Sequence, residues 1–308
     1  MVQDPGLAQP LILVTGASGQ IGASLCARLR GAGREVLAVD ARPYSDATVQ
    51  ICDLRQDDVV RQLFERHAIR TVVHLAAVLP TAFRADPVSA AAVNVTGSLS
   101  VLREAIAHGV ARFVFGSSMG VYGSADTSRA LNEGDPAAPD EPYGAAKRTV
   151  ELVGEGVAAA GALGFASLRI ARVVGPGATS TASSWRSQIL ETAMSPDHPA
   201  ISIPFAPTAR LCLTHVDEVA RMLMLLAEAP ELRRAVYNSP AEVWETRDLA
   251  RLVAGTRQVR VLTGDGNGGP LCDGALFCQD FGFQLTPLAD YLSTGRDPTD
   301  THSLRSTR

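Results

Sequence analysis

Leu11-Ile12-Leu13-Val14-Thr15-Gly16-Ala17-Ser18-Gly19-Gln20-Ile21-Gly22 is the stretch on which the fold turns. A short apolar, β-branched run enters three glycines spaced three apart, and a helical pattern follows with Ile21, Leu25 and Leu29 on one face. Gly16 permits a tight turn, Gly19 lets backbone approach a pyrophosphate, and Gly22 lets helix pack on strand. The helix start offers N–H groups and a positive dipole end to phosphates. No Gly-Lys-Ser or Gly-Lys-Thr follows, which excludes a nucleoside-triphosphate loop.

Outward from this turn, apolar runs at 35–40, 71–76, 112–117 and 165–173 read as strands, and 57–67, 93–108 and 143–162 read as helices. Nearly unbroken apolar strands alternating with helices predict βαβ units and a parallel sheet buried on both faces. The expected fold class is α/β: a doubly wound parallel (Rossmann) sheet with a smaller α/β substrate-binding cap. After residue 174 the texture changes. The stretch at 185–194 predicts a short helix, 196–209 is broken by prolines, and 216–229 and 246–254 predict amphipathic helices. The expected division is a dinucleotide-binding domain at 1–173 plus 208–240, a cap at 174–207 plus 241–294, and a frayed tail at 295–308.

Composition narrows the functional classes. The 308 residues are 46% hydrophobic and 19% charged with a net charge of −4, which suits a globular chain and gives no basic footprint for nucleic acid or acidic membranes. Five cysteines with no Cys-x-x-Cys exclude a disulfide framework or zinc ribbon, and no metal is expected. The sequence shows no secretory leader and no apolar run long enough for a membrane span, so a cytoplasmic location is expected. Of 28 basic residues only Lys147 is a lysine.

That lysine lies four residues after Tyr143 on the predicted helix, one turn away on the same face. An ammonium beside a phenol favours the phenolate, so the pair makes a general acid/base for alcohol–carbonyl interconversion. Ser118, in the Ser117-Ser118-Met119-Gly120-Val121-Tyr122-Gly123 run after a predicted strand, is placed to hydrogen-bond the reacting oxygen. Asp40 closes the second strand 18 residues beyond Gly22, where a carboxylate accepts ribose hydroxyls and disfavours a 2′-phosphate. NAD is therefore expected over NADP, with nearby Arg42 softening the preference. Asp53, at the expected end of the third strand, reads equally as a contact to the adenine edge or as a turn residue.

These motifs, with His74-Leu75-Ala76-Ala77, Asn94, Tyr143-Gly144-Ala145-Ala146-Lys147 and Leu168–Gly177, resemble the extended short-chain dehydrogenase/reductases of the NAD-dependent epimerase/dehydratase type. The resemblance covers 11–177 and runs more weakly to about 290. It implies Tyr143 as base, Lys147 as its partner on the nicotinamide ribose, and Ser118 as third member of the triad. It implies a cofactor site of Gly16, Ser18, Gly19, Gln20, Ile21, Gly22, Asp40, Asp53 and Leu54. Leu75, Ala76, Ala77 and Asn94 complete that site, with Asn94 and His74 in supporting roles.

Departures bear on the substrate. Dehydratases of the family carry an Asp-Glu pair where this chain has Met119 and Gly120, so dehydration is not expected. Nucleotide-sugar epimerases have asparagine where Arg172 stands, and an arginine four residues before the histidine of Thr214-His215-Val216-Asp217, where this chain has Leu211 with Arg210 one residue off. Arg172 and Arg210 read either as partners of a substrate carboxylate or as bridges to surface carboxylates. Thr81, Met119, Ser180 and Ser183 complete the expected substrate contacts. The leading expectation is an NAD-dependent oxidoreductase acting on a small sugar, sugar acid or polyol. A nucleotide-sugar epimerase with transient oxidation is the alternative, and the intact Ser/Tyr/Lys set opposes a silent dinucleotide sensor. Helices 93–108 and 143–162 are expected to form a homodimer.

Overall fold

The computed structural model describes residues 10–42, 47–124, 129–178, 183–190 and 200–294. Its strands are β1 (Leu11–Thr15), β2 (Val36–Asp40), β3 (Val49–Ile51), β4 (Ile69–His74), β5 (Arg112–Ser118), β6 (Ala130–Leu131), β7 (Gly164–Ile170), β8 (Arg172–Val174), β9 (Ala200–Phe205), β10 (Arg210–His215), β11 (Val236–Asn238), β12 (Glu242–Glu245), β13 (Arg260–Gly266) and β14 (Leu271–Cys272). Its α-helices are α1 (Gln20–Gly31), α2 (Asp57–Arg66), α3 (Pro80–Ala85), α4 (Pro87–Ala91), α5 (Ser98–Ala107), α6 (Pro142–Ala159), α7 (Trp185–Gln188), α8 (Val216–Glu228), α9 (Thr246–Arg257), α10 (Ala275–Phe281) and α11 (Leu288–Thr294).

Seven strands form one sheet in the order β11-β7-β5-β4-β1-β2-β3. Strand β1 pairs in parallel with β2 and β4, β2 with β3, and β4 with β5. Chain order reverses between β1 and β4, the switch point at which open α/β sheets bind ligands. Leu13 and Val14, adjacent on β1 and facing opposite ways, are both 0% exposed, so both faces of the sheet are covered. This is the doubly wound Rossmann architecture that the apolar strands imply.

The described residues fall into two compact units. The first takes Met1–Ser117, Ala146–Leu168 and Leu223–Val236. Its core joins Leu13, Val72, Phe113, Phe115, Val150 and Phe165, with Phe113 and Phe165 stacked at 6.0 Å. The second takes Ser118–Ala145, Arg169–Met222 and Tyr237–Arg308. It holds a three-stranded sheet β12-β10-β8 and two parallel pairs, β13 with β9 and β14 with β6. One core gathers Trp185, Ile201, Ile203, Leu249 and Val253, with Leu249 and Val253 one turn apart on α9. Another gathers Met119, Tyr122, Leu131, Cys212, Leu271 and Cys272. No helix among the described residues is long and apolar enough to cross a membrane.

Several boundaries differ from the sequence expectation. The strand expected at 165–173 is two strands. The Ala171 N–H donates to Ser239 Oγ (2.9 Å), and β8 then pairs in parallel with β10. The strand expected at 71–76 ends at His74, and the Leu75 and Ala76 N–H groups turn to Thr15 Oγ1. The helix expected at 93–108 opens with a π-helical turn, Ala92–Gly97, before α5. There the Asn94 amide bonds Val78 twice, through Oδ1 from its N–H (2.7 Å) and Nδ2 to its carbonyl (2.9 Å). The third strand stops at Ile51, two residues short of Asp53. Within the proline-broken stretch at 196–209, Ala200–Phe205 forms β9, which tolerates Pro204 because it belongs to a two-stranded ribbon. Of the helix expected at 185–194, Trp185–Gln188 is helical and 191–199 lies outside the described residues, as does the tail from 295.

Candidate active site

In the first unit the site begins at the turn after β1. Gly16 has φ +68°, and a Cβ there would lie 2.6 Å from the Ala76 nitrogen. A Cβ on Gly22 would lie 2.1 Å from the Gly16 carbonyl oxygen. The turn is therefore closed by bare backbone, against the first turn of α1 and against the loop after β4. Gly19 caps α1 with no side chain, so the first-turn N–H groups have no side-chain acceptor at the cap. Ser18 Oγ is buried with no hydrogen-bond partner among the described residues. Asp40 accepts the Ser18 N–H at 3.0 Å and the Arg42 N–H at 3.3 Å. Gln20 and Ile21 open α1 on the same turn. An unpaired hydroxyl, an uncapped helix start and a carboxylate at the next strand end fit a dinucleotide's pyrophosphate and ribose.

The loop after β4 is held by a proton-ordered network. Thr15 Oγ1 accepts from the Leu75 and Ala76 N–H groups, so its own proton goes to His74 Nδ1 at 2.8 Å. Ser98 Oγ donates to the Asn94 carbonyl, so His74 donates to it from Nε2 at 2.9 Å. His74 is thus neutral, and burial brings its pKa down to about 3. Its ring organises the site rather than carrying a proton to substrate. Leu54 is buried, with Gly97 packed on its Cβ. Asp53 is gripped by Arg55, whose Nη2 lies 2.6 Å from Oδ2, and these bonds lower its pKa to about 2. Asp53 therefore sits in a turn with its charge already paired. Thr81 lies on α3, exposed.

Lys147 is 3% exposed, and its Nζ donates to the Gly116 carbonyl at 2.7 Å over the Phe115 ring. Burial brings its pKa down to about 8, opposed by the buried Glu151 carboxylate one turn along α6. Glu151 is itself bonded by Ser167 Oγ and Arg148 Nη1.

In the second unit, Ser118 Oγ accepts the Gly120 N–H at 3.1 Å. A Cβ on Gly120 would lie 3.4 Å from Ser118 Oγ and 3.9 Å from Tyr143 Cδ1, so the bare backbone of Gly120 separates the two. Gly144 makes that approach possible, since a Cβ on it would lie 2.2 Å from the Gly120 oxygen. Tyr143 is half-buried, and burial pushes its phenol up to about 12, opposed by the positive charge of Arg186. The partly buried Arg186 has a buried Nε with no hydrogen-bond partner among the described residues. Arg172 stacks on Phe205 (4.5 Å) and donates from Nη1 to the Gly268 carbonyl (3.0 Å). Burial, and then the like charge of Arg186, bring the Arg172 pKa down to about 10. Two guanidiniums close enough for their like charges to bear on one another make a place for an anion.

Other expected substrate contacts separate. Met119 packs into the core with Cys212 and Leu271. Arg210 is exposed at the start of β10. Ser183 is buried, and Ser180 lies outside the described residues. Sequence reading does not single out Arg186, because nothing local ties it to Tyr143.

A doubly wound sheet with this glycine turn and a Tyr-x-x-x-Lys helix defines the extended short-chain dehydrogenase/reductase class. The NAD dependent epimerase/dehydratase family matches residues 12–238, and the chain belongs to that family. A UDP-glucose 4-epimerase of Halalkalibacterium halodurans is 33% identical over 147 residues, 46% of this chain and 44% of that protein. The mitochondrial L-threonine 3-dehydrogenase of Sus scrofa is 26% identical over 258 residues, 80% of this chain and 68% of that protein. The structure of MoeE5 in complex with UDP-glucose and NAD superposes with a TM-score of 0.76 at 29% identity, covering 92% of this chain and 96% of that one. The chain spans about half the length of the curated epimerases it matches.

Proposed function

We propose that this chain is an NAD-dependent oxidoreductase that interconverts a secondary alcohol and a carbonyl on a small, anionic sugar-like substrate, a sugar acid above all. The observation that carries the reading is Arg186, a guanidinium with an unpaired buried Nε whose charge bears on the Tyr143 phenol. The cofactor would be held by Gly16, Ser18, Gly19, Gln20, Ile21 and Gly22 at its phosphates and by Asp40 at its ribose, with Leu75, Ala76, Ala77 and Asn94 along the next loop. Bound there, NAD supplies the hydride acceptor.

The chain's own residues handle the proton and the charge. Tyr143 takes the substrate hydroxyl proton on its phenolic oxygen, and Ser118 Oγ holds the reacting oxygen by a hydrogen bond. A phenol near 12 is a poor base, so cations must bring it down. Arg186 supplies one such charge, and Lys147, four residues along α6 from Tyr143, is the residue to which the family likeness gives the same role. Arg172 and Arg186 bind the substrate's anionic group. Met119 and Gly120 supply no acid to expel a hydroxyl, which supports redox chemistry over dehydration.

Likeness to the UDP-glucose 4-epimerase and to MoeE5 supports a second reading, a nucleotide-sugar epimerase in which the arginines face a diphosphate. One experiment separates the two. The protein is purified without nucleotide, denatured, and the supernatant assayed for NAD(H). An empty site that binds added NAD and yields NADH with sugar acids supports the dehydrogenase. Tightly retained NAD(H), with turnover of UDP-sugars and no net NADH, supports the epimerase.

On this reading 1–173 with 208–240 bind the cofactor and 174–207 with 241–294 receive the substrate. The chain acts in the cytoplasm, and as a homodimer; Ile106 on α5 and Leu152 and Val153 on α6, exposed at 37%, 55% and 41%, support the dimer. Sedimentation at a range of protein concentrations tests the dimer.

A further inference from the structure

Outside the groups used above, the described residues of the second unit include a close pair of nucleophilic side chains. Cys212 on β10 and Cys272 on β14 are 1% and 5% exposed, and their sulfurs lie 3.4 Å apart. A disulfide bond is about 2.0 Å long. Two sulfurs 3.4 Å apart are about 1.4 Å from that length. Met119, Tyr122, Leu131, Ala171 and Leu271 pack in the same cluster.

We propose that Cys212 and Cys272 are an oxidisable dithiol, a site at which a small peroxide is reduced and an internal disulfide forms. The two sulfurs are not equivalent. The hydrogen bond from Cys272 and the positive charge of Arg172 favour the Cys212 thiolate, whereas its bond to Cys212, burial and the nearby Glu133 carboxylate keep Cys272 protonated. Cys212 is therefore the attacking sulfur and Cys272 the resolving one. The Cys212 thiolate attacks one oxygen of hydrogen peroxide, the O–O bond breaks, and hydroxide leaves to take up the proton Cys212 released. The resulting sulfenic acid is attacked by the Cys272 sulfur, the S–O bond breaks, and water leaves with the Cys272 proton. Two thiols and one peroxide give one disulfide and two waters.

The bridge would tie β10 to β14. Strand β10 also pairs with β8, which carries Arg172, and β14 pairs with β6. Oxidation would also remove the ionisable sulfur that faces Arg172.

The test uses the reduced full-length chain with bound NAD. It is treated with one equivalent of hydrogen peroxide, alkylated, denatured and mapped by mass spectrometry. The five thiols should fall to three, with peptides containing Cys212 and Cys272 linked, and dithiothreitol should restore all five. Retention of all five thiols overturns the proposal. So does oxidation confined to Cys278, the one cysteine not fully buried, or a bridge between chains. In Cys272→Ser, a dimedone adduct on Cys212 is expected, because the sulfenic acid has lost its resolving thiol. Should that variant fail to fold, the wild-type map alone decides.

Discussion

The two units differ in what surrounds their unpaired buried polar groups. In the first, His74, Asn94, Lys147 and Glu151 all have hydrogen-bond partners in the same unit. Among the described residues of this unit the buried Ser18 Oγ, Arg28 Nε, Arg112 Nε and Ser117 Oγ have no partner, and Ser18 Oγ lies beside the uncapped start of α1. In the second unit, Arg186 keeps a buried N–H unpaired, and its neighbour Arg172 carries the same charge. An unmade buried hydrogen bond costs about 1–3 kcal/mol, more for a charged group. Such an atom marks a ligand's place where a second feature agrees, as the uncapped helix start does at Ser18 and the like charge of Arg172 does at Arg186. By this measure the first unit offers a phosphate a place at the start of α1, and the second offers an anion a place at Arg186.

The largest test of the contrast is Tyr143→Phe. It removes the proton acceptor but no part of the phosphate turn, so turnover should fall by about 10²–10⁴-fold while NAD titration is unchanged. A variant with full turnover would break the assignment. Next is Gly16→Ala. Its Cβ would meet the Ala76 nitrogen at 2.6 Å in a backbone with positive φ. Strain of about 1–3 kcal/mol should weaken NAD binding by about 5- to 150-fold, measured by calorimetry. Arg186→Met should leave NAD affinity alone and raise KM for an acidic substrate about 10- to 100-fold, the worth of a charged hydrogen bond. If NAD affinity falls instead, Arg186 serves the cofactor and the contrast between units fails.

The smallest effect is on stability against pH. Burial holds His74 near 3 and His215 near 4 in the folded chain, below the usual 6.5. The unfolded chain therefore binds more protons between those values, so stability is full above about pH 6.5 and falls as pH drops toward 4. Each histidine contributes at most about tenfold in the folding equilibrium per pH unit. Urea midpoints measured from pH 7 to 4 should decline, and His215→Asn should flatten the decline. His215 stacks on Tyr291 at 3.7 Å and accepts the Asp217 N–H at Nδ1, so its neutral form is built into the second unit.

The contrast also explains what the sequence could disclose. The glycine turn, Asp40 and the Tyr143–Lys147 spacing are local patterns, each tied to one turn or one helix, so they can be read without knowing what packs where. Arg186 acquires meaning only through the placement of α7 and the Tyr143 segment within the second unit, and no spacing rule links residues 43 apart. Met119 followed the same logic in reverse: adjacent to Ser118 in sequence, it turns into the core. The π-helical turn at Ala92–Gly97 was illegible because its cause is a distant amide pairing, Asn94 with Val78. The break between β7 and β8 was hidden for a like reason, since the hydroxyl that interrupts the ladder belongs to Ser239.

Lys147 carries the only side-chain amine in the chain. Feeding isotope-labelled lysine to an expression host would therefore place a single reporter nucleus in the protein, at the ammonium that lies against the Gly116 carbonyl. Its magnetic resonance would titrate without overlap from any other residue. Whether that signal moves when a dinucleotide arrives could be followed in the purified protein, with no substrate in hand.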